Sequence, residues 1–195
     1  MLSAQQLALS RGGRELFGGL SFDICPGQLV QIEGANGAGK TSLLRILAGL
    51  SRYGFEGRVE RHAPLLYLGH QPAVKAMLTP RENLAWHVAG EADFGAAAID
   101  AALARVGLYG YEDVPSHALS AGQHRRVSLA RLYLSNSPLW LLDEPFTAID
   151  VDGVAALEER KAAHVAAGGA VVFTSHQPMR GNYNVRRLCL RRGLL

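Results

Sequence analysis

The sequence predicts an α/β fold: a core of strands and helices, antiparallel strands at its N-terminus, and a helical subdomain inserted into the core. Three observations predict it. Residues 29–33 read as a short strand that enters a glycine-rich loop, after which Leu43, Ile46, Leu47 and Leu50 recur at helical spacing. Leu139-Trp140-Leu141-Leu142 is apolar at every position, as in a parallel strand buried on both faces, and residues 170–174 repeat that pattern. Between the loop helix and that strand, residues 73–137 are alanine-rich and mostly helical, with breaks at Pro80, Gly90, Gly95, Gly107 and Pro115.

The remaining elements follow in order. Leu7 and Leu9, then Leu16 and Phe17, then Leu20, Phe22 and Ile24 alternate with period two and read as strands. Pro26-Gly27 is a turn. Residues 58–61 and 65–68 are two further strands, 154–167 is a helix stopped by Gly168-Gly169, and 188–190 is a last short strand. The chain reads as one domain over 1–195, with its core in 1–72 and 138–195 and its helical subdomain in 73–137.

Bulk properties narrow the function. The chain has 195 residues, 48% hydrophobic and 19% charged, which suits a globular core and not a disordered chain. Its net charge of +3 is mild, and its arginines are scattered except near the C-terminus and form no basic stripe, so nucleic acid is not an expected partner. Cys25 and Cys189 lie far apart in no metal-ligand spacing, which suits a reducing compartment. Cys25-Pro26 superficially looks like a haem-regulatory pair, but it reads as the turn before a strand. No apolar run reaches the ~18 residues that span a bilayer, and no basic-then-apolar leader opens the chain. The expectation is a protein without a direct membrane span, whose membrane role comes through a partner.

The chemistry starts at Gly34-Ala35-Asn36-Gly37-Ala38-Gly39-Lys40-Thr41, a full match to G-x-x-x-x-G-K-[ST]. Its glycines let successive N–H groups converge on one phosphate, and the helix that follows adds its positive end. Lys40 can reach the β- and γ-phosphates of ATP, and the Thr41 hydroxyl can ligate Mg²⁺. The apolar strand 139–142 ends in Asp143 and Glu144, at the sheet edge where ligands bind. Asp143 is expected to hold Mg²⁺ and Glu144 to polarise the attacking water, since phosphoryl transfer rests mostly on positioning and charge neutralisation.

Three further features follow. Gln71 comes after strand 65–68, His176 after strand 170–174, and Ser120-Ala121-Gly122-Gln123 opens a helix to about Asn136 with capping-box spacing. Taken in order with the phosphate loop, Leu142-Asp143-Glu144-Pro145 and Thr147-Ala148-Ile149-Asp150, they make the chain resemble the nucleotide-binding subunits of ABC transporters over nearly its whole length. The resemblance implies a P-loop NTPase (RecA-like) core and a head-to-tail homodimer of ATPase subunits. It implies that two ATP molecules lie between the copies, with the phosphate loop of one facing Ser120, Gly122 and Gln123 of the other. It also implies that Asp150 sits at the subunit junction, that His176 contacts the γ-phosphate, and that Gln71 links Mg²⁺ and water to a helical subdomain docked on a membrane subunit.

A narrower resemblance lies outside the shared motifs. Leu68-Gly69-His70-Gln71-Pro72-Ala73-Val74-Lys75, Leu78-Thr79-Pro80-Arg81-Glu82-Asn83-Leu84 and residues 43–50 and 119–131 are similar to the ATP-binding subunit of the bacterial cytochrome c maturation (Ccm) system, the haem exporter. That family implies integral membrane subunits of the Ccm complex as partners, a peripheral place on the cytoplasmic face of the inner membrane, and hydrolysis tied to release of a haem-loaded chaperone. Many ABC subunits stack adenine on an aromatic residue where this chain has Arg11; Arg11 and Phe17 are both candidates for that contact. The rival readings are another small ABC exporter, a soluble ABC ATPase and a P-loop kinase or GTPase. Soluble ABC ATPases usually carry two such domains or a long coiled-coil insertion, and kinases and GTPases lack the element 120–123.

Overall fold

Alternating apolar residues at the N-terminus fold as β1 (Leu2–Arg11) and β2 (Arg14–Ile24), paired antiparallel around Gly12-Gly13. β4 (Glu56–Arg61) pairs antiparallel with the other edge of β1 and completes a three-stranded sheet. This computed structural model describes residues 1–88, 94–175 and 179–190. The chain divides into two compact units, one of Met1–Tyr67, Ser137–Pro145 and Lys161–Leu195, the other of Leu68–Asn136 and Phe146–Arg160.

A second sheet has the order β5 (Leu65–Leu68), β6 (Leu139–Leu142), β7 (Ala170–Thr174), β3 (Leu29–Glu33), β8 (Val185–Cys189). The pairs β6–β7, β7–β3 and β3–β8 are all parallel. β6 and β7 are buried at every position, which is why both read as unbroken apolar runs. Val30, Ile32, Leu139, Leu141, Ala170 and Val172 share one core with Leu43, Leu44 and Leu47 of helix α1 (Lys40–Leu47). At ~1.5–3 kcal/mol for each fully buried aliphatic side chain, that contact holds the short helix in place. In the same unit Trp140 is stacked on His164, ring centroids 3.7 Å apart.

The helical unit has its own core. Leu84 of α2 (Pro80–Val88), Ile99 and Leu103 of α3 (Ala96–Arg105) and Val127 and Ala130 of α4 (Ala121–Ala130) pack together with Leu108. The buried Asn83 is its polar hub. Its amide donates to the carbonyls of Lys75 (3.1 Å) and Thr79 (3.0 Å) and to Ser116 Oγ (3.2 Å), and its oxygen accepts from the Lys75 amide at 2.7 Å. Thr79 and Glu82 form a reciprocal capping box that starts α2 at Pro80, so this proline opens a helix.

Several boundaries differ from the sequence reading. α1 ends at Leu47 and leaves Leu50 exposed, because Gly49 turns left-handed (φ 76°) and Arg61 donates to the last carbonyls, Ile46 (2.6 Å) and Leu47 (2.7 Å). α4 stops at Ala130 and passes into a 3-10 turn at Arg131–Tyr133. α5 (Val151–Ala166) begins three residues earlier than expected, since the Asp150 carboxylate accepts from the Gly153 amide at 2.8 Å and caps it. Residues 146–160 cluster with the helical unit, although the sequence reading leaves them in the core.

Candidate functional site

The phosphate loop joins β3 to α1, and its form follows from two close approaches. Gly39 caps α1 in the left-handed region (φ 96°), and a Cβ there would lie 3.0 Å from the Phe17 ring. Only glycine meets both demands. Phe17 is fully buried beneath the loop, so it is closed to an adenine base, and Arg11 is the exposed one of the two candidates. Lys40 starts α1 with its ammonium turned back over the loop, donating to the carbonyls of Gly34 (2.8 Å) and Ala35 (3.3 Å). An anion in the cradle therefore meets a positive charge already held there.

β6 delivers Asp143 to the same edge of the sheet, fully buried. Its Oδ1 accepts from the Thr41 hydroxyl at 3.2 Å and from the Thr174 hydroxyl at 2.9 Å. Thr174 ends β7, the strand between β6 and β3, and its Oγ1 also accepts from the Glu144 amide at 2.8 Å. Glu144 sits in the left-handed region (φ 48°), which is costly for a residue with a Cβ and occurs where surrounding bonds over-determine the backbone. The Thr174 bond is one such constraint. A hydroxyl and a carboxylate meeting beside a phosphate cradle are hard oxygen donors, which fit Mg²⁺ shared with substrate phosphates. Tyr67 of β5 lies in this field as well: burial, then the Asp143 carboxylate, push its phenol above the ordinary value, with Arg45 pulling the other way.

The other candidates lie in the helical unit. Ser120 caps α4 with a full capping box: its hydroxyl accepts from the Gln123 amide at 3.2 Å, and the Gln123 side chain accepts from the Ser120 amide at 2.8 Å. A Cβ on Gly122 would lie 3.1 Å from the Ala148 carbonyl, so glycine lets the start of α4 approach residues 147–150. Asp150 is bound by Arg126 of α4 as well as by the Gly153 amide, which brings Ser120, Gly122, Gln123 and Asp150 into one assembly. The Gly153 amide first, with the Arg126 guanidinium, holds the Asp150 carboxyl below the usual carboxylate range. Gln71 is exposed just past β5, where the buried Arg125 of α4 donates to the Gly69 carbonyl at 2.8 Å.

His176 lies outside the described residues. Cys25 and Cys189 are exposed free thiols. Thr174, Arg125 and Arg126 are positioning residues that the sequence reading missed. Thr174 is legible only as the polar end of an apolar strand, and the two arginines only as members of the helix that Ser120 opens.

The ABC transporter family profile matches residues 17–147. The cytochrome c biogenesis ATP-binding export protein CcmA of Yersinia pestis bv. Antiqua (strain Nepal516) is 53% identical over 203 residues, covering 97% of this chain and 93% of that protein. CcmA 2 of Salmonella paratyphi A (strain ATCC 9150 / SARB42) is 51% identical over 205 residues, covering 99% and 98%. A solved dimeric ATP-binding cassette in a post-hydrolysis state, bound to ADP and Pi, superposes with a TM-score of 0.80 at 21% identity, covering 91% of this chain and 88% of that one, and so shares the fold. Among the described residues no helix is long and apolar enough to cross a membrane. With a phosphate loop, an Asp143–Glu144 strand end and a capped α4 in the family's order, the chain belongs to the ABC transporter family of ATP hydrolases, in its cytochrome c biogenesis ATP-binding export branch.

Proposed function

We propose that this chain is the ATP-hydrolysing subunit of an inner-membrane complex in cytochrome c biogenesis, acting as a homodimer that binds ATP between its copies. The observation that carries the chemistry is the linked set Thr41, Asp143, Thr174 and Glu144 at the strand ends beside Lys40. The loop amides and Lys40 hold the phosphates, Thr41 and Asp143 would hold Mg²⁺, and Glu144 polarises the attacking water. Bound Mg²⁺ supplies charge neutralisation on the phosphate oxygens.

Ser120 and the exposed start of α4 form a second anion site, filled by the γ-phosphate held by another copy, so ATP joins two copies where ADP does not. Asp150 lies at that junction. For Gln71 and His176 the roles are those the family resemblance implies: coupling of Mg²⁺ and water to the helical subdomain, and contact with the γ-phosphate. Similarity over nearly the whole chain to the biogenesis proteins supports the pathway, the Ccm membrane subunits as partners, and a peripheral place on the cytoplasmic face. In that setting hydrolysis drives release of the haem-loaded chaperone.

Glu144→Gln tests the reading with two measurements. With ATP and Mg²⁺ the variant should elute as a dimer in size-exclusion chromatography while its turnover falls about 100-fold or more. A host strain carrying only this variant should fail to make holo-cytochrome c. Normal turnover removes the role given to Glu144, and normal holo-cytochrome c removes the pathway.

A further inference from the structure

Ser120 is exposed, and its capping box fixes its geometry only against the first turn of α4. The direction in which that helix start points is set by the chain behind it. There Ser116–Ala118 form a 3-10 turn, and Leu119 is extended and leads into the cap. Ser116 is fully buried, and the rest of the helical unit holds it from several sides. Its hydroxyl accepts from the Asn83 amide at 3.2 Å, and its own amide donates to the Leu78 carbonyl at 3.0 Å. Asn83 is bonded in turn to Lys75 and Thr79, so Ser116 is an anchor fixed in the core of its unit.

His124 ties α4 to that anchor. Its ring Nε2 lies 2.6 Å from the Ser116 carbonyl. A carbonyl only accepts, so Nε2 carries a proton and donates it. The backbone amide of the same residue donates to the Ser120 carbonyl at 2.9 Å. His124 therefore grips the chain twice, at Ser116 and at Ser120. Residues 116–124 close into a loop with Ser120 midway, and the helix start cannot swing without breaking the ring bond.

We infer that His124 is a positioning residue for the second anion site: through the Ser116 carbonyl it aims Ser120 and the first amides of α4. This rests on the dimer reading above. Donors serve a charged ligand only when held within about 0.5 Å and 10–20° of the productive geometry. An exposed cap has no packing to hold it so, and the bond to a buried anchor supplies the constraint. His124 itself touches no phosphate in this reading.

The lengths of two amide side chains make the test specific. The nitrogen of glutamine extends about as far as Nε2 and can replace its bond, whereas that of asparagine extends only to the position of Nδ1. Analytical ultracentrifugation of the Glu144→Gln protein with ATP and Mg²⁺ measures dimerisation. Adding His124→Ala or His124→Asn should weaken it about tenfold or more, and adding His124→Gln should restore it. ADP affinity by calorimetry, which reports the phosphate loop in the other unit, should be the same in all of them. A histidine that only fills space would make glutamine no better than asparagine. If the alanine variant does not fold, the comparison of glutamine with asparagine decides. Undiminished dimerisation in the alanine and asparagine variants, a glutamine variant as weak as asparagine, or an equal loss of ADP affinity overturns the inference. If the Glu144→Gln protein itself stays monomeric with ATP, the dimer reading fails first and takes the inference with it.

Discussion

The two units hold their functional residues by different physics. In the core unit the site is polar but buried: Asp143 and Thr174 are fully enclosed, Lys40 nearly so, and apolar strands carry them to one edge. Position there is a by-product of sheet packing. In the helical unit Ser120 and Asp150 are exposed and held by short-range bonds to Gln123 and Gly153, each three residues on, with Arg126 added to Asp150. One half is built to be rigid before a ligand arrives. The other presents polar groups at a surface, as the completion by a second copy proposed above requires. Changes beneath the first half should therefore cost folding stability, and changes in the second should cost little of it.

The largest expected effect follows from Phe17. Its ring fills the space under Gly39, so Phe17→Ala opens a cavity at the foot of the phosphate loop. Removing a fully buried phenyl ring costs ~3–5 kcal/mol. Urea unfolding should show a loss in this range, accompanied by weaker nucleotide binding. A loss under about 1 kcal/mol would mean that the loop does not depend on its apolar floor, and the contrast between the units would narrow.

Thr174→Val should come next. The change keeps shape and removes one hydroxyl, which joins the Glu144 amide to the Asp143 carboxylate. A lost buried hydrogen-bond partner costs ~1–3 kcal/mol. The larger signature is kinetic, because Glu144 loses a bond that keeps it in its left-handed conformation. Turnover should fall about tenfold or more while ATP affinity holds. If both measures stay at wild-type values, the hydroxyl is a passive core group.

The same contrast explains what could be read from sequence. The loop 34–41, the run into Asp143 and Glu144, and Ser120 with Gln123 are local patterns, complete within a few residues, and each lies in the structure where its pattern implies. What escaped is long-range. Thr174 reaches Asp143 across 31 residues, Arg126 reaches Asp150 across 24 and Arg125 reaches Gly69 across 56, and periodicity carries no signal for such pairs. Helix ends escaped for a related reason. α1 is cut short by Arg61 from a later strand, and α5 is lengthened by a cap on Asp150 whose strength depends on its neighbours.

Asp150 gives the smallest effect and the sharpest view of the helical half. Its carboxyl is held below the usual range, first by the Gly153 amide and then by Arg126. A carboxyl depressed in the folded state stabilises that state above its unfolded-state value, near 4, and the contribution is lost as pH falls through the lowered folded value. Between pH 6 and 8 Asp150 stays ionised, so stability should not change with pH on its account. Asp150→Asn keeps an acceptor for the Gly153 amide but gives up the charge facing Arg126. Melting curves of variant and wild type should run parallel above pH 5, and the variant should lose less stability on acidification below pH 4. ATP turnover at pH 7 should nevertheless fall several-fold in the variant, since the loop that carries Asp150 is no longer pinned to α4. A variant that melts far lower at neutral pH would show Asp150 to be a structural support of the helical unit, and would place the two units under the same physics.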